Sequence, residues 1–278
     1  MQIRTPAVAG MFYPDEKNEL KKSVQQCFMH SFGPGKLPPI ESQKKIYGMV
    51  CPHAGYTYSG PIACHSYYSI SSNLPELFII IGPNHWGIGC NVATMKDCSW
   101  ETPFGLVEVD SESATELSKI SKMIELDFFS HTKEHSIEVQ IPILQQICST
   151  KLKILPIILI KQEKNTADDV GKAVATIANQ KNAMIIASSD FTHYEPNEFA
   201  HEQDKALIEP ILDLDIEQFY KVLHEKNVTA CGYGAIASTM VACKKLGATK
   251  GELLKYATSG DVTGDTNSVV GYGSIIFT

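Results

Sequence analysis

No stretch of this chain approaches the roughly 20 consecutive apolar residues that a helix needs to span a bilayer, so no transmembrane helix is expected. The opening segment Met1-Gln2-Ile3-Arg4-Thr5-Pro6 has no apolar h-region of the kind a secretory signal carries. A cytoplasmic protein is the expectation. Eight cysteines among 278 residues are too sparse for a disulfide scaffold, and no Cys-x-x-Cys occurs. They are expected to be reduced and mostly buried. Basic runs are missing too, and the formal charge of −7 disfavours nucleic acid or an anionic membrane as the main partner. There is no P-loop, no Gly-x-Gly-x-x-Gly and no Gly-x-Ser-x-Gly. Kinase, dehydrogenase and α/β-hydrolase chemistries therefore lack their phosphate cradle or nucleophile elbow.

What is present is ordinary in amount and unusual in arrangement. Hydrophobic residues make up 44% of the chain, enough for a substantial core. Neither an internal repeat nor a low-complexity linker divides it. The Pro/Gly-rich stretch Phe32 to Pro39 reads as a loop after a short helix over Glu16 to Met29, because so short a leading segment does not fold alone. One domain over residues 1–278 is expected. Apolar runs and helical spacings then alternate. Strands are expected at Tyr47–Val50, Leu77–Gly82, Leu106–Val109, Lys153–Ile160 and Ala183–Ser188, with closing strands over Glu252–Ser259 and Ser268–Phe277. Helices are expected at Pro61–Ser71 (with Pro at its start), Ser111–Ser121, Glu134–Cys148 (kinked at Pro142), Ala167–Asn179, Pro196–His224 in two pieces and Gly234–Leu246. Such alternation predicts an α/β fold with a mixed, largely parallel central sheet covered by helices.

Three of the apolar runs stop abruptly and are followed by histidine. These are Cys51-Pro52-His53-Ala54-Gly55-Tyr56, Gly82-Pro83-Asn84-His85-Trp86-Gly87 and Ser189-Asp190-Phe191-Thr192-His193-Tyr194. Ligands bind beyond the carboxyl ends of the strands in open α/β sheets, so the three segments are expected to deliver imidazoles to one edge. Neutral imidazole suits iron, copper and zinc. Asp190, three residues before His193, can orient an imidazole or bind metal itself, or cap the following turn together with Ser188 and Ser189. His131, Glu134, His135 and Glu138 recur at helical spacing. That stripe reads as a metal site by itself, as a solvated face, as Glu134 acting at a helix N-terminus, or, in the preferred reading, as a site in which His135 at the helix start is a general base positioned by Glu138. Cys231-Gly232-Tyr233-Gly234 leads into a helix, where a thiolate is favoured. The polar turn Ser259–Asp265 is a lid or an acidic hairpin.

Segments spread over nearly the whole chain resemble the Memo family. They are Arg4 to Pro14, Pro52 to Gly60, Gly82 to His85, Glu134 to Gln140, Ser188 to Tyr194 and the Cys231-Gly232 turn. The family is similar to the class III extradiol dioxygenases, a phosphorylase/hydrolase-like fold using non-haem Fe(II). The resemblance implies metal coordination by His53, His85 and Cys231, pocket roles for Asp190 and His193, and a catalytic base at His135. The dioxygenase carboxylate ligand is replaced by Cys231, a softer donor that shifts preference toward copper or zinc, so efficient cleavage of simple catechols is not expected. The prokaryotic type, protein B of the AmmeMemoRadiSam system, implies radical-SAM and AMMECR1-like partners. The leading expectation is a metal-dependent redox enzyme carrying iron or copper, less so zinc, that acts on a small molecule or peptide. The alternatives are a non-enzymatic module binding a peptide or small anion, and a zinc hydrolase.

Overall fold

Leu77, Ile79 and Ile81 bury into one core, and Phe78 and Ile80 into another. This is the two-residue period of a strand covered on both faces. The same division runs through the neighbouring strands and sorts the helices into two layers. The structure, a computed structural model, describes residues 2–40, 44–72, 74–148 and 152–278. Its strands are β1 (Gln2–Arg4), β2 (Gly48–Cys51), β3 (Leu77–Pro83), β4 (Val92–Thr94), β5 (Cys98–Thr102), β6 (Gly105–Val109), β7 (Glu125–Leu126), β8 (Lys153–Leu159), β9 (Met184–Ser188), β10 (His193–Glu195), β11 (Gly251–Thr258) and β12 (Val269–Phe277). Its helices are α1 (Lys17–Met29), α2 (Tyr56–Ile70), α3 (Ser111–Ile120), α4 (Gln140–Ile147), α5 (Lys164–Lys181), α6 (Asn197–Leu212), α7 (Ile216–Glu225), α8 (Tyr233–Leu246) and α9 (Ser259–Thr263). None of them is long and apolar enough to cross a membrane.

The sheet runs β1-β5-β6-β8-β3-β9-β2-β12-β10, with β11 on β12 and β4 on β8. From β6 to β2 the pairing is parallel, and β12 then closes antiparallel on β2. α3, α5, α7 and α8 contribute to one core and α1, α2 and α4 to the other. A mixed, largely parallel sheet in a single α/β domain is thus what the alternating pattern predicted. β3, β9 and β2 lie side by side, and Ile81, Ala187 and Val50 share one row across them. His53 and Asp190 fall three residues beyond that row and His85 four. The expected delivery to one sheet edge follows from this register.

Several elements differ from the expectation. The helix expected from Glu134 starts only at Gln140. Before it, a single 3-10 turn at Phe129–His131 leads into irregular turns. The reason is competition for backbone donors: Glu134 takes the N–H groups of His135 and Ser136. Pro142 therefore sits in the first turn of α4, where a missing N–H costs nothing and no kink is required. Conversely, α2 begins at Tyr56, so Pro61 lies inside it. Tyr56 N–H donates to the Phe12 carbonyl, and Ser59 Oγ–H to that of Ala54, holding the earlier start. The Ser259–Asp265 turn contains α9, closed by a capping box between Thr258 and Asp261. The short strands β1, β4, β5, β7 and β10 were not anticipated, being too brief or too polar to show a period.

Nor is the histidine–glutamate stripe a solvated face. His131, Glu134 and Glu138 are all buried. Glu138 receives the Arg4 guanidinium, the N–H groups of Ala7 and Val8 at 2.8 and 3.0 Å, and the Tyr13 hydroxyl at 2.6 Å. It thereby ties the first residues of the chain to the loop before α4, and Glu138 is not the residue that positions His135. Arg4 also donates to the carbonyls of His131 and Glu134 and lies 4.3 Å over the Trp100 ring.

The His131 ring is fully buried, beside the Arg4 guanidinium and the Ala93 backbone. Burial, and then the Arg4 guanidinium, push this imidazole down to about 3, so it is held neutral. A base whose folded value lies below its ordinary 6.5 contributes stability that is complete above pH 6.5 and lost as pH falls toward 3. We expect His131→Phe to lose about 2 kcal/mol less stability than wild type between pH 7 and pH 4.5. Paired urea titrations at the two values measure it. Parallel losses in the two proteins would show that His131 takes up its proton as readily in the folded protein as in the unfolded chain.

Candidate metal centre

The carboxyl ends of β2 and β3 place His53 and His85 opposite His135, which comes from the loop before α4. Among the described residues these three form one group of donors, with ligand atoms all within 4.8 Å of one another. The His85 and His135 rings stack, centroids 4.7 Å apart and planes inclined by 18°. His53 stands edge-on to both, at 5.2 and 5.5 Å. Phe12 holds the outer side of His135, edge to face at 4.8 Å. Gly82 permits this approach of loop to strand, since a Cβ there would meet Ser136 Oγ at 2.5 Å.

Glu134 is the hub that joins the two loops. It accepts from His85 Nδ1 at 2.9 Å, from His85 N–H at 2.6 Å, and from the N–H groups of His135 and Ser136. Burial alone would raise its carboxyl, but the His85 hydrogen bond and the two nearby imidazoles hold it down at about 2. It is therefore the carboxylate hydrogen-bonded to the His85 ring and lying 3.5 Å from His135 Nδ1, whereas Glu138, expected to position His135, is taken up by Arg4. His85 is lowered by burial but raised overall by Glu134 and Asp190. His135 is held below the ordinary range, mainly by burial, with Glu134 opposing. His53, fully enclosed, is lowered further by burial and then by His85, His135 and His193.

Cys231 and Asp190 complete the inner wall. The Cys231 sulfur lies 3.2 Å from His53 Nε2 and accepts the Asp190 N–H at 3.3 Å. The Cys231–Gly232 turn presses against β9, where a Cβ on Gly232 would strike the Ser188 carbonyl oxygen at 2.5 Å. Despite the nearby start of α8, burial and then Asp190 raise the Cys231 thiol, the direction opposite to the one its position at a helix start favours. Asp190 accepts the His53 N–H at 2.7 Å, and burial pushes its carboxyl up to about 6. His193 sits on β10, its Nδ1 2.7 Å from the Phe191 carbonyl oxygen and 2.9 Å from that of Thr229.

All six residues singled out in the sequence thus line one end of the sheet. The tightest donor group pairs His53 and His85 with His135, and Cys231 is at hand beside His53. These donors fit a first-row transition metal: His53 and His135 held toward the neutral form by burial, His85 gripped by an outer carboxylate, and one soft sulfur. The site opens beside His85, whose side chain is 32% exposed, next to the exposed Trp86.

Comparison with known proteins shows the family. The family model described as Memo-like protein matches residues 4–276. A MEMO1 family protein of Nitrosopumilus maritimus is 64% identical over 99% of both chains. One of Methanopyrus kandleri is 46% identical over 99% of this chain and 98% of its own. Among solved structures, an uncharacterized Escherichia coli protein superposes with a TM-score of 0.54 at 13% identity, covering 84% of this chain and all of that one. At that identity the likeness concerns the fold alone.

Proposed function

Because the chain belongs to the Memo-like protein family, we propose that it is a metal-dependent redox enzyme, holding iron or copper on His53 and His85 with Cys231 completing the set. The observation that carries this reading is the convergence of the three imidazoles within 4.8 Å, with the Cys231 sulfur 3.2 Å from His53 Nε2. When bound, such a metal supplies one-electron chemistry and an open coordination position. Sulfur beside imidazole favours iron or copper over the hard-oxygen metals. The protein's own groups do the rest. His135, stacked on His85 and braced by Phe12, takes a proton from substrate at a ring nitrogen. Glu134 keeps the His85 ring in place. Asp190 and His193 line the wall beyond, where they orient substrate polar groups.

A second reading has a specific observation behind it. His135 belongs to the mutually closest donor group and Cys231 does not, so His135 serves as third ligand if the sulfur stays out. Metal analysis of protein purified without oxygen tests the function itself. We expect iron or copper bound in wild type and lost in the His53→Ala, His85→Ala double variant. Zinc accompanied by esterase or amidase turnover would replace the redox reading with a hydrolase. Wild-type protein that takes up no metal even when Fe(II) or Cu(I) is supplied would leave a binding module.

A further inference from the structure

We propose that Ser188 is a positioning residue, a hydroxyl forced to act as acceptor toward His53 so that the neutral ring carries its proton on Nδ1 and keeps Nε2 bare. Its use rests on the reading of His53 as a metal ligand; the proton assignment does not. The assignment follows from elimination around one oxygen atom. Gln140 Nε2 lies 2.9 Å from the Pro52 carbonyl oxygen, which only accepts, so this atom is the amide nitrogen. The same nitrogen donates to Ser188 Oγ at 2.8 Å, while Gln140 Oε1 accepts from the Tyr67 hydroxyl. The single proton of Ser188 goes to the Ser136 carbonyl oxygen at 2.6 Å, again a pure acceptor. His53 Nδ1, 2.9 Å from Ser188 Oγ, is the remaining neighbour. With the hydroxyl proton committed elsewhere, Nδ1 must donate. Ser188, Ser136, Gln140 and Tyr67 all have 0% exposure, so solvent water does not replace any of these partners.

Two other histidines of the edge, His85 and His193, are anchored through Nδ1 by different means. His85 Nδ1 meets the Glu134 carboxylate, and His193 Nδ1 meets two carbonyl oxygens. Those partners accept unconditionally. A hydroxyl accepts only when its proton is held by something else, and here Ser136 holds it while Gln140 fills the other lone pair. His53 meets a hydroxyl whose own proton is fixed by residues that do not touch the ring. The Nε2 atom left bare is the one beside the Cys231 sulfur. A ring that arrives with this nitrogen unprotonated needs no tautomer change before it binds a cation.

The test uses histidine labelled with ¹⁵N in the metal-free, full-length protein. Long-range ¹H–¹⁵N correlation spectra distinguish a protonated from a bare ring nitrogen, and the His53 signals are identified by their loss in His53→Gln. We expect wild-type His53 to show protonated Nδ1 and bare Nε2. In Ser188→Ala the two forms should mix, and Ser188→Thr, which keeps the hydroxyl, should keep the wild-type pattern. Co(II), titrated by its visible absorption, should bind Ser188→Ala about 10–100-fold more weakly than wild type. A wild-type spectrum with the proton on Nε2 overturns the proposal without needing any variant to fold. So does a Ser188→Ala protein with an unchanged tautomer or unchanged Co(II) affinity. If wild type takes up no Co(II) while the tautomer shift still appears, the proton assignment stands and the metal reading of His53 falls.

Discussion

Glu138→Ala is expected to cost about 3–5 kcal/mol of folding stability, the usual penalty for breaking a buried ion pair from one side. The variant leaves the Arg4 guanidinium buried without its counter-charge and strips acceptors from Ala7 N–H, Val8 N–H and the Tyr13 hydroxyl. Each unsatisfied buried donor adds its own penalty. Urea denaturation at neutral pH measures the effect. The paired variant Arg4→Met, Glu138→Leu separates charge from architecture. Removing both ions avoids the stranded charge, so the double variant should be less damaged than Glu138→Ala alone. A double variant as unstable as the single one would mean that the backbone donors, rather than the ion pair, carry the energy.

His135→Ala is expected to keep most of its metal and to lose about 10²–10⁴-fold in turnover, the usual contribution of a general base. Cys231→Ser should do the reverse in kind, lowering metal content first. The two variants, measured together for bound iron or copper and for rate, divide the donors near His53 into those that hold and those that react. An empty site in His135→Ala with full occupancy in Cys231→Ser would exchange the two roles.

The strands that carry the site were legible because each is a short, continuous apolar run ended by Pro, Gly or Asp. β2, β3 and β9 are such runs, and their parallel pairing follows from the helices between them. Their terminal residues could be named from sequence because a strand end fixes position to within a residue or two. The loop before α4 was different. His131, Glu134, His135 and Glu138 have helical spacing, yet the chain there turns irregularly because carboxylates capture backbone N–H groups that a helix would need. Spacing records which residues recur, not which partner outcompetes the helix. Sequence therefore assigned His135 to Glu138, whereas Glu134 is the carboxylate beside it, accepting its backbone N–H, and Glu138 secures Arg4. Ser188 and Gln140 were not singled out as functional at all. Their signal is a hydrogen-bond inventory in a sealed space, and only the folded arrangement supplies one. The direction of the Cys231 shift was hidden for a related reason: the nearby helix start is visible in sequence, while the burial that raises the thiol is not.

β12 follows every other strand in the chain yet lies inside the sheet, between β2 and β11. While the polypeptide is being made on the ribosome, β2 and β9 can pair long before residues 269–277 emerge. During that interval the far side of β2 offers unpaired N–H and C=O groups beside the His53 loop, the kind of open edge on which chains associate wrongly. β11 waits as well, since its described pairing is with β12 alone. The β2 edge stays open during synthesis until β12 arrives to cover it, so wrong pairing threatens the nascent chain more than the folded protein.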